Sequence, residues 1–216
     1  MKTLLSGRLA ALLVLSGALA IPRAPAWGQS LTGQAIAATV NTPAAGSQTF
    51  AGATLPQAGG MEHADVDNAG VTNTFGAAGL TSITTGQIDQ GLVSVTASAE
   101  AADVNILNGL IAAKAVLALA TSYANGTTAA SESDGSTLLS LVIAGVSYAD
   151  GPPAPNTRVE LPGVGYVVLN EQISSGDGVR STSLTVNMVH VYLVDPLTGA
   201  SAGEIVVAAA TSTATL

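Results

Sequence analysis

The clearest pattern in the chain is a two-residue alternation. In Ser181–Val194, STSLTVNMVHVYLV, Leu184, Val186 and Met188 fall on one side and Ser183, Thr185 and Asn187 on the other. That is the mark of a half-buried β-strand. Beyond Met188 both sides turn apolar, which predicts cover on both faces there, with His190 in phase with Leu184, Val186 and Met188. Gly165–Ile173, GYVVLNEQI, predicts a partner strand, joined to the first through SSGDGVR, a loop of hairpin type. An apex at Gly176-Asp177 sets Asn170 roughly opposite Leu184 and Asn187 near Val167. Glu204–Thr211 predicts a further strand, and Leu138–Ser147 another, interrupted at Gly145.

Turn signals recur between such runs. Asn108-Gly109, Asn125-Gly126, Asp134-Gly135, Asp150-Gly151 and Asp177-Gly178 all suit the type I′ turns of β-hairpins. Leu92–Ala124 is mixed: LVSVTASAE alternates, whereas IAAKAVLALA has good helix propensity. Hairpin turns on both sides and the Thr, Ser and Val content favour strand, with a helix over Ile111–Ala120 as the open alternative. Gln29–Gly60 carries Pro43, Pro56 and several glycines and reads as an extended arm or edge segment, although Leu31–Val40 suits a first strand. The fold expected is all-β, an antiparallel sandwich or barrel-like sheet pair of about eight to ten strands over residues 61–216.

The first residues read as an export signal. Lys2 and Arg8 form a short basic region ahead of the apolar run Leu9–Ala20, and small residues follow. Cleavage after Ala20, Ala26 or Gly28 fits, with Gly28 favoured because polar sequence begins at Gln29. At about a dozen residues the run is shorter than the roughly 20 of a spanning helix. A signal helix over residues 1–28 and no stable membrane anchor in the mature chain are therefore expected.

Charge changes the picture next. Beyond the leader only Lys114, Arg158 and Arg180 face 14 acidic residues. Such a surface repels nucleic acid and anionic membranes. Charged residues make up only 9% of the chain, so the polar surface must be built from Thr, Ser, Asn and Gln. Cysteine is absent, which removes disulfides, thiol catalysis and thiolate metal sites.

Several segments taken in order carry a resemblance. They are VNTP (Val40–Pro43), TLPQAGG (Thr54–Gly60), ADVNILNGLIAAKAV (Ala102–Val116), PAPNTRVELPGVGYVVLNEQ (Pro153–Gln172), LTVNMVHVYL (Leu184–Leu193) and GEIVVAAATS (Gly203–Ser212). In this order the chain resembles the choice-of-anchor P family of bacterial exported proteins. The resemblance implies an extracytoplasmic surface or matrix protein, and no catalytic residues come with it. The chain departs from the pattern in carrying no cysteine and in showing no sorting motif, apolar span or basic tail before Leu216. Release, or non-covalent retention, is the expectation.

Three constellations carry candidate chemistry. His190 on its strand is a core imidazole or a catalytic base, and neither a GxSxG elbow nor an HExxH motif accompanies it. Glu62, His63, Asp65 and Asp67 crowd oxygen and imidazole ligands together, but Ala69 and Gly76 break the calcium-loop pattern, leaving only a divalent-metal candidate. Asn170, Glu171 and Asn187, with His190, are candidate ligand-binding residues for a polymer such as glycan. Arg158 and Glu160 alternate on one face of Asn156–Leu161, where a surface ion pair with neighbours is expected.

The function expected is a non-enzymatic structural or interaction protein of the bacterial cell surface or extracellular matrix, with no cofactor. Its partners are itself or other cell-surface polymers. Self-assembly by β-strand addition of the 29–60 arm is the mechanism offered. The alternatives are a carbohydrate- or surface-ligand-binding module, against which the few aromatics argue, and a hydrolase using His190.

Overall fold

The computed structural model describes residues 28–216. The expected leader, apart from Gly28, lies outside the described residues. All regular structure within them is β, in two antiparallel sheets. In chain order the strands are β1 (Ser30–Thr42), β2 (Gly46–Thr54), β3 (Gly60–Val71), β4 (Phe75–Asp89), β5 (Leu92–Ile106), β6 (Ile111–Ala124) and β7 (Ala129–Glu132). Then come the short β8 (Thr137–Leu139), β9 (Val142–Ile143) and β10 (Val146–Ser147), followed by β11 (Thr157–Leu161), β12 (Gly165–Gly176), β13 (Ser181–Val194) and β14 (Ser201–Thr215). Sheet A runs β11-β12-β13-β14-β1-β2, and sheet B runs β10-β9-β6-β5-β4-β3 with β7 and β8 also on β6. The 14 strands exceed the eight to ten expected because Gln29–Gly60 supplies β1 and β2 and Leu138–Ser147 is chopped into β8, β9 and β10.

The sheets pack face to face, β14 over β5 and β6 and β1 over β4 and β5. Of the 41 buried hydrophobic residues 17 are alanine, which explains the behaviour of IAAKAVLALA. Its Ile111, Ala113, Val116, Ala118 and Ala120 are buried, and β6 pairs with β5 on one side and β7, β8 and β9 on the other. Two ladders and an inward face outweigh helix propensity, and no helix forms over Ile111–Ala120. The sheets are also tied by hydroxyls: Ser122 Oγ lies 2.8 Å from Ser212 Oγ and 2.7 Å from Ser131 Oγ, which in turn lies 2.7 Å from Thr182 Oγ1.

Gln29–Gly60 is not a free arm. β1 sits inside sheet A, paired with β14 on one side and β2 on the other, and only β2 lies at an edge. Its Ala35, Ala37, Ala38 and Val40 are fully buried. Small residues made the segment look loose, yet small residues are what this core takes. Strand addition by this arm would therefore require unpairing an interior strand.

A second departure shapes the functional face. In β13 the buried hydrophobic residues are Leu184, Val186 and Met188, then Val189 and Val191: the phase of alternation inverts. The same inversion occurs at Val207/Ala208 in β14 and Ala37/Ala38 in β1. These positions lie on one line across sheet A. Along it, Asn170 (φ 47°), Ala208 (φ 54°) and Ala51 (φ 46°) alternate with the ordinary backbones of Met188 and Ala37. A left-handed residue turns the following side chain to the face it would otherwise have left. Sheet B shows a matching break, with Gly79 and Asp103 left-handed and the register of β4 on β5 shifted beside them.

Turn chemistry sets the register. Of the five Asn-Gly and Asp-Gly steps, only Asn108-Gly109 has positive φ at both residues (55° and 87°), as type I′ requires. At the β12–β13 turn Asp177 Oδ1 instead accepts from the backbone N–H groups of Val179, Arg180 and Ser181 at 2.7–2.9 Å. Those bonds hold its carboxyl down at about 2. The longer loop moves the apex, so Ser174 pairs with Leu184 and Glu171 with Asn187, four residues from the expected register.

Candidate functional site

The inversion line puts His190 on the outer face of sheet A, away from Leu184, Val186 and Met188. The two apolar sides seen after Met188 are this change of phase: Val189 and Val191 enter the core, while His190 and Tyr192 leave it. His190 is nevertheless only 8% exposed, because its neighbours on that face enclose it.

Register assembles those neighbours. Glu171 pairs with Asn187, Tyr166 with Tyr192, and Tyr192 with Glu204. His190 Nδ1 lies 2.7 Å from Glu171 Oε2, and Nε2 lies 3.2 Å from Glu204 Oε2. Asn187 Nδ2 donates to Glu171 Oε2 and the Tyr192 hydroxyl donates to Glu171 Oε1, each at 2.7 Å.

Burial pushes the Glu171 carboxyl up, but hydrogen bonds from His190, Asn187 and Tyr192, with the His190 charge, together outweigh it and hold the group below its ordinary value. The Tyr192 hydroxyl is raised, first by burial and then by its bond to Glu171. The rings form a file. His190 stacks on Tyr192 at 3.9 Å between centroids, Tyr192 on Tyr166 at 4.7 Å, and the Arg158 guanidinium caps Tyr166 at 3.6 Å. Arg158 Nε also donates to Glu160 at 2.6 Å, the ion pair expected from alternation. Gly165, at φ 141°, permits this packing, since a Cβ there would collide with the Tyr192 carbonyl.

The arrangement leaves little free chemistry. Both nitrogens of His190 are occupied by carboxylates, and no hydroxyl nucleophile bonds to it. The ring faces of Tyr166 and Tyr192 are spent on each other, on His190 and on Arg158, so the file presents ring edges outward. An open groove of about 370 Å³ beside it meets only the Arg158 and Tyr166 end of the file.

Of the expected binding residues, Glu171, Asn187 and His190 come together and Asn170 does not. Asn170 is 3% exposed and acts as a latch: its Nδ2 donates to the Pro153 carbonyl at 2.8 Å, and its own carbonyl accepts from Asn156 N–H at 2.9 Å. Tyr192, Tyr166 and Glu204 were missed. The signal available for Tyr192 was its position two residues from His190, on the same face of the same strand.

The metal candidates are also corrected. Glu62, His63, Asp65 and Asp67 lie on the edge strand β3 rather than in a loop. Alternation turns Glu62 away from the others, and His63 Nε2 approaches Asp65 Oδ2 only at 3.8 Å with both exposed. Among the described residues no group of three or more His, Asp or Glu side chains is placed to hold a metal ion.

No family model and no curated protein matches the chain. Among solved structures it is similar to Neisserial surface protein A (NspA), at 10% identity over 88% of this chain and 97% of that one, with a TM-score of 0.18. A superposition that loose assigns neither fold nor function.

Proposed function

We propose that the chain is an exported, non-enzymatic structural or interaction protein of the bacterial cell surface or extracellular matrix. The observation that carries the reading is the closed clamp on His190. The buried imidazole of His190 has both nitrogens within hydrogen-bonding distance of carboxylates, and Glu171 also accepts from Asn187 and Tyr192. A general base needs a free lone pair within reach of a substrate proton, and both nitrogens of His190 already face carboxylates. The basic and apolar leader Met1–Gly28 and the resemblance to the choice-of-anchor P family support export and a surface or matrix role.

Two measurements test it. Fractionated cells should carry the protein in the envelope or the medium; recovery in the cytoplasm alone overturns export. In a screen of ester, peptide and glycoside substrates the protein should show no turnover. A turnover abolished in a folded His190→Ala variant overturns the non-enzymatic reading.

A further inference from the structure

Beyond the Glu171–Asn187 row, the first below the inversion line, the outer face of sheet A changes character. Successive rows across the strands read Ile173, Thr185, Thr211 and Gln34, then Ser175, Ser183, Thr213 and Thr32. Ser181, Thr215 and Ser30 make a third row. No charged side chain stands in these rows, on a chain whose net charge is −8. The outer face of sheet B differs, with the exposed Glu100 on β5 and acidic side chains along β3.

The hydroxyls are ordered in advance. Thr185 Oγ1 and Thr211 Oγ1 lie 3.0 Å apart, and Ser183 Oγ and Thr213 Oγ1 lie 2.8 Å apart. In each pair one hydroxyl donates to the other, which keeps its own O–H, and lone pairs remain on both. The pairs repeat along the strands at about 6.8 Å, with strands about 4.8 Å apart. Thr32 and Gln34 are exposed, while Thr185, Thr211, Ser183 and Thr213 are half-buried. Every polar side chain in these rows is therefore neutral and can both donate and accept, and Ile173 adds an apolar patch.

We infer that this face docks a neutral polysaccharide laid across β13, β14 and β1. The inference rests on the reading of the chain as an interaction protein and names the partner's chemistry. Sugar hydroxyls both donate and accept, as these side chains do, and sugar C–H faces suit the methyls of threonine and isoleucine. A neutral polymer also brings no charge to an acidic protein. A second copy of the chain would bring its own negative charge, and an anionic polymer or membrane would be repelled. Cross-strand pairing lowers the ordering cost of binding because the hydroxyls are already placed.

The test is co-sedimentation of the purified full chain with insoluble cellulose, chitin, curdlan and starch at 0.05 and 0.5 M NaCl. At least one of these should retain the protein, equally at both salt concentrations. Thr211→Val with Thr213→Val keeps the branched shape and should weaken retention about tenfold. The matched pair Thr96→Val with Thr121→Val, on the outer face of sheet B, should leave it unchanged. Circular dichroism and urea midpoints establish that both double variants are folded. Retention by none of the four polymers overturns the inference, as does loss of retention in high salt or equal loss in both double variants. If the Thr211 and Thr213 change instead lowers the mass seen in size-exclusion chromatography, the face joins copies of the chain and the inference fails. Envelope location and absence of turnover are read independently, so the broader reading can survive that failure.

Discussion

The upper and lower halves of one sheet face make the most informative contrast in the molecule. At the inversion line, Glu171 in the row just below it and His190, Tyr192 and Glu204 above it satisfy one another, and charge is consumed internally. Below it, Thr185–Thr211 and Ser183–Thr213 pair more loosely and keep hydrogen-bonding capacity facing outward. The most chemically loaded cluster is thus the least available, and the plainest surface is the most available. Titratable groups gathered on a strand face can stiffen a fold by bonding to one another.

The contrast can be broken by substitution. Glu171→Ala should cost the most, about 3 kcal/mol in urea unfolding, because it strips three donors of their acceptor in a half-buried setting. A cost below about 1 kcal/mol would show that the clamp holds nothing together.

Acid sharpens the comparison next. A carboxyl depressed in the folded state contributes stability above its unfolded pKa and loses it as pH falls through the folded value. The stability difference between the protein and Glu171→Gln should therefore be full above about pH 5 and shrink as pH drops below about 4. Asp177, held at about 2, should keep its contribution to more acidic conditions, measured against Asp177→Asn in the same titration. A Glu171 difference that grows on acidification would overturn the sign.

Tyr192→Phe should cost about 1 kcal/mol, one hydrogen bond to a charged acceptor, with its ring stacking retained. Thr185→Val with Thr211→Val should change stability least, within about 0.5 kcal/mol, since valine keeps the shape and the strand preference. If the lower pair proved costlier than Tyr192→Phe, the division between a saturated upper half and an available lower half would fail.

Much of the fold was legible where two-residue alternation ran unbroken. Alternation predicts β13 over Ser181–Val194 as it stands and β12 to within three residues of its end, and the strand expected over Ile111–Ala120 agrees with the structure. What failed was reading phase across the inversion line. Two of its left-handed residues in sheet A are alanines, Ala51 and Ala208, and alanine gives no hint of positive φ. His190 was therefore placed on the wrong face, and its companions Tyr192 and Glu204 went unnoticed. The Asn170–Asn187 register failed for a different reason: Asp-Gly suggested a tight turn, while Asp177 used its carboxylate to build a wider one. Glu62, His63, Asp65 and Asp67 looked like a ligand cluster only because neighbours in sequence were taken for neighbours in space.

The pairing of β1 with β14, from Ser30 opposite Thr215 to Asn41 opposite Glu204, dictates an order of events. β3 to β6 form a meander that can close hairpin by hairpin as the chain emerges. β1 appears first among the described strands and waits for the one made after all the others. Closing so long a loop costs only logarithmically more than closing a short one, so the penalty falls on time rather than on final stability. During that interval one margin of β1 is an open template, and misassembly is concentrated there. The final strand closes the gap inside sheet A and leaves only β11 and β2 as its edges.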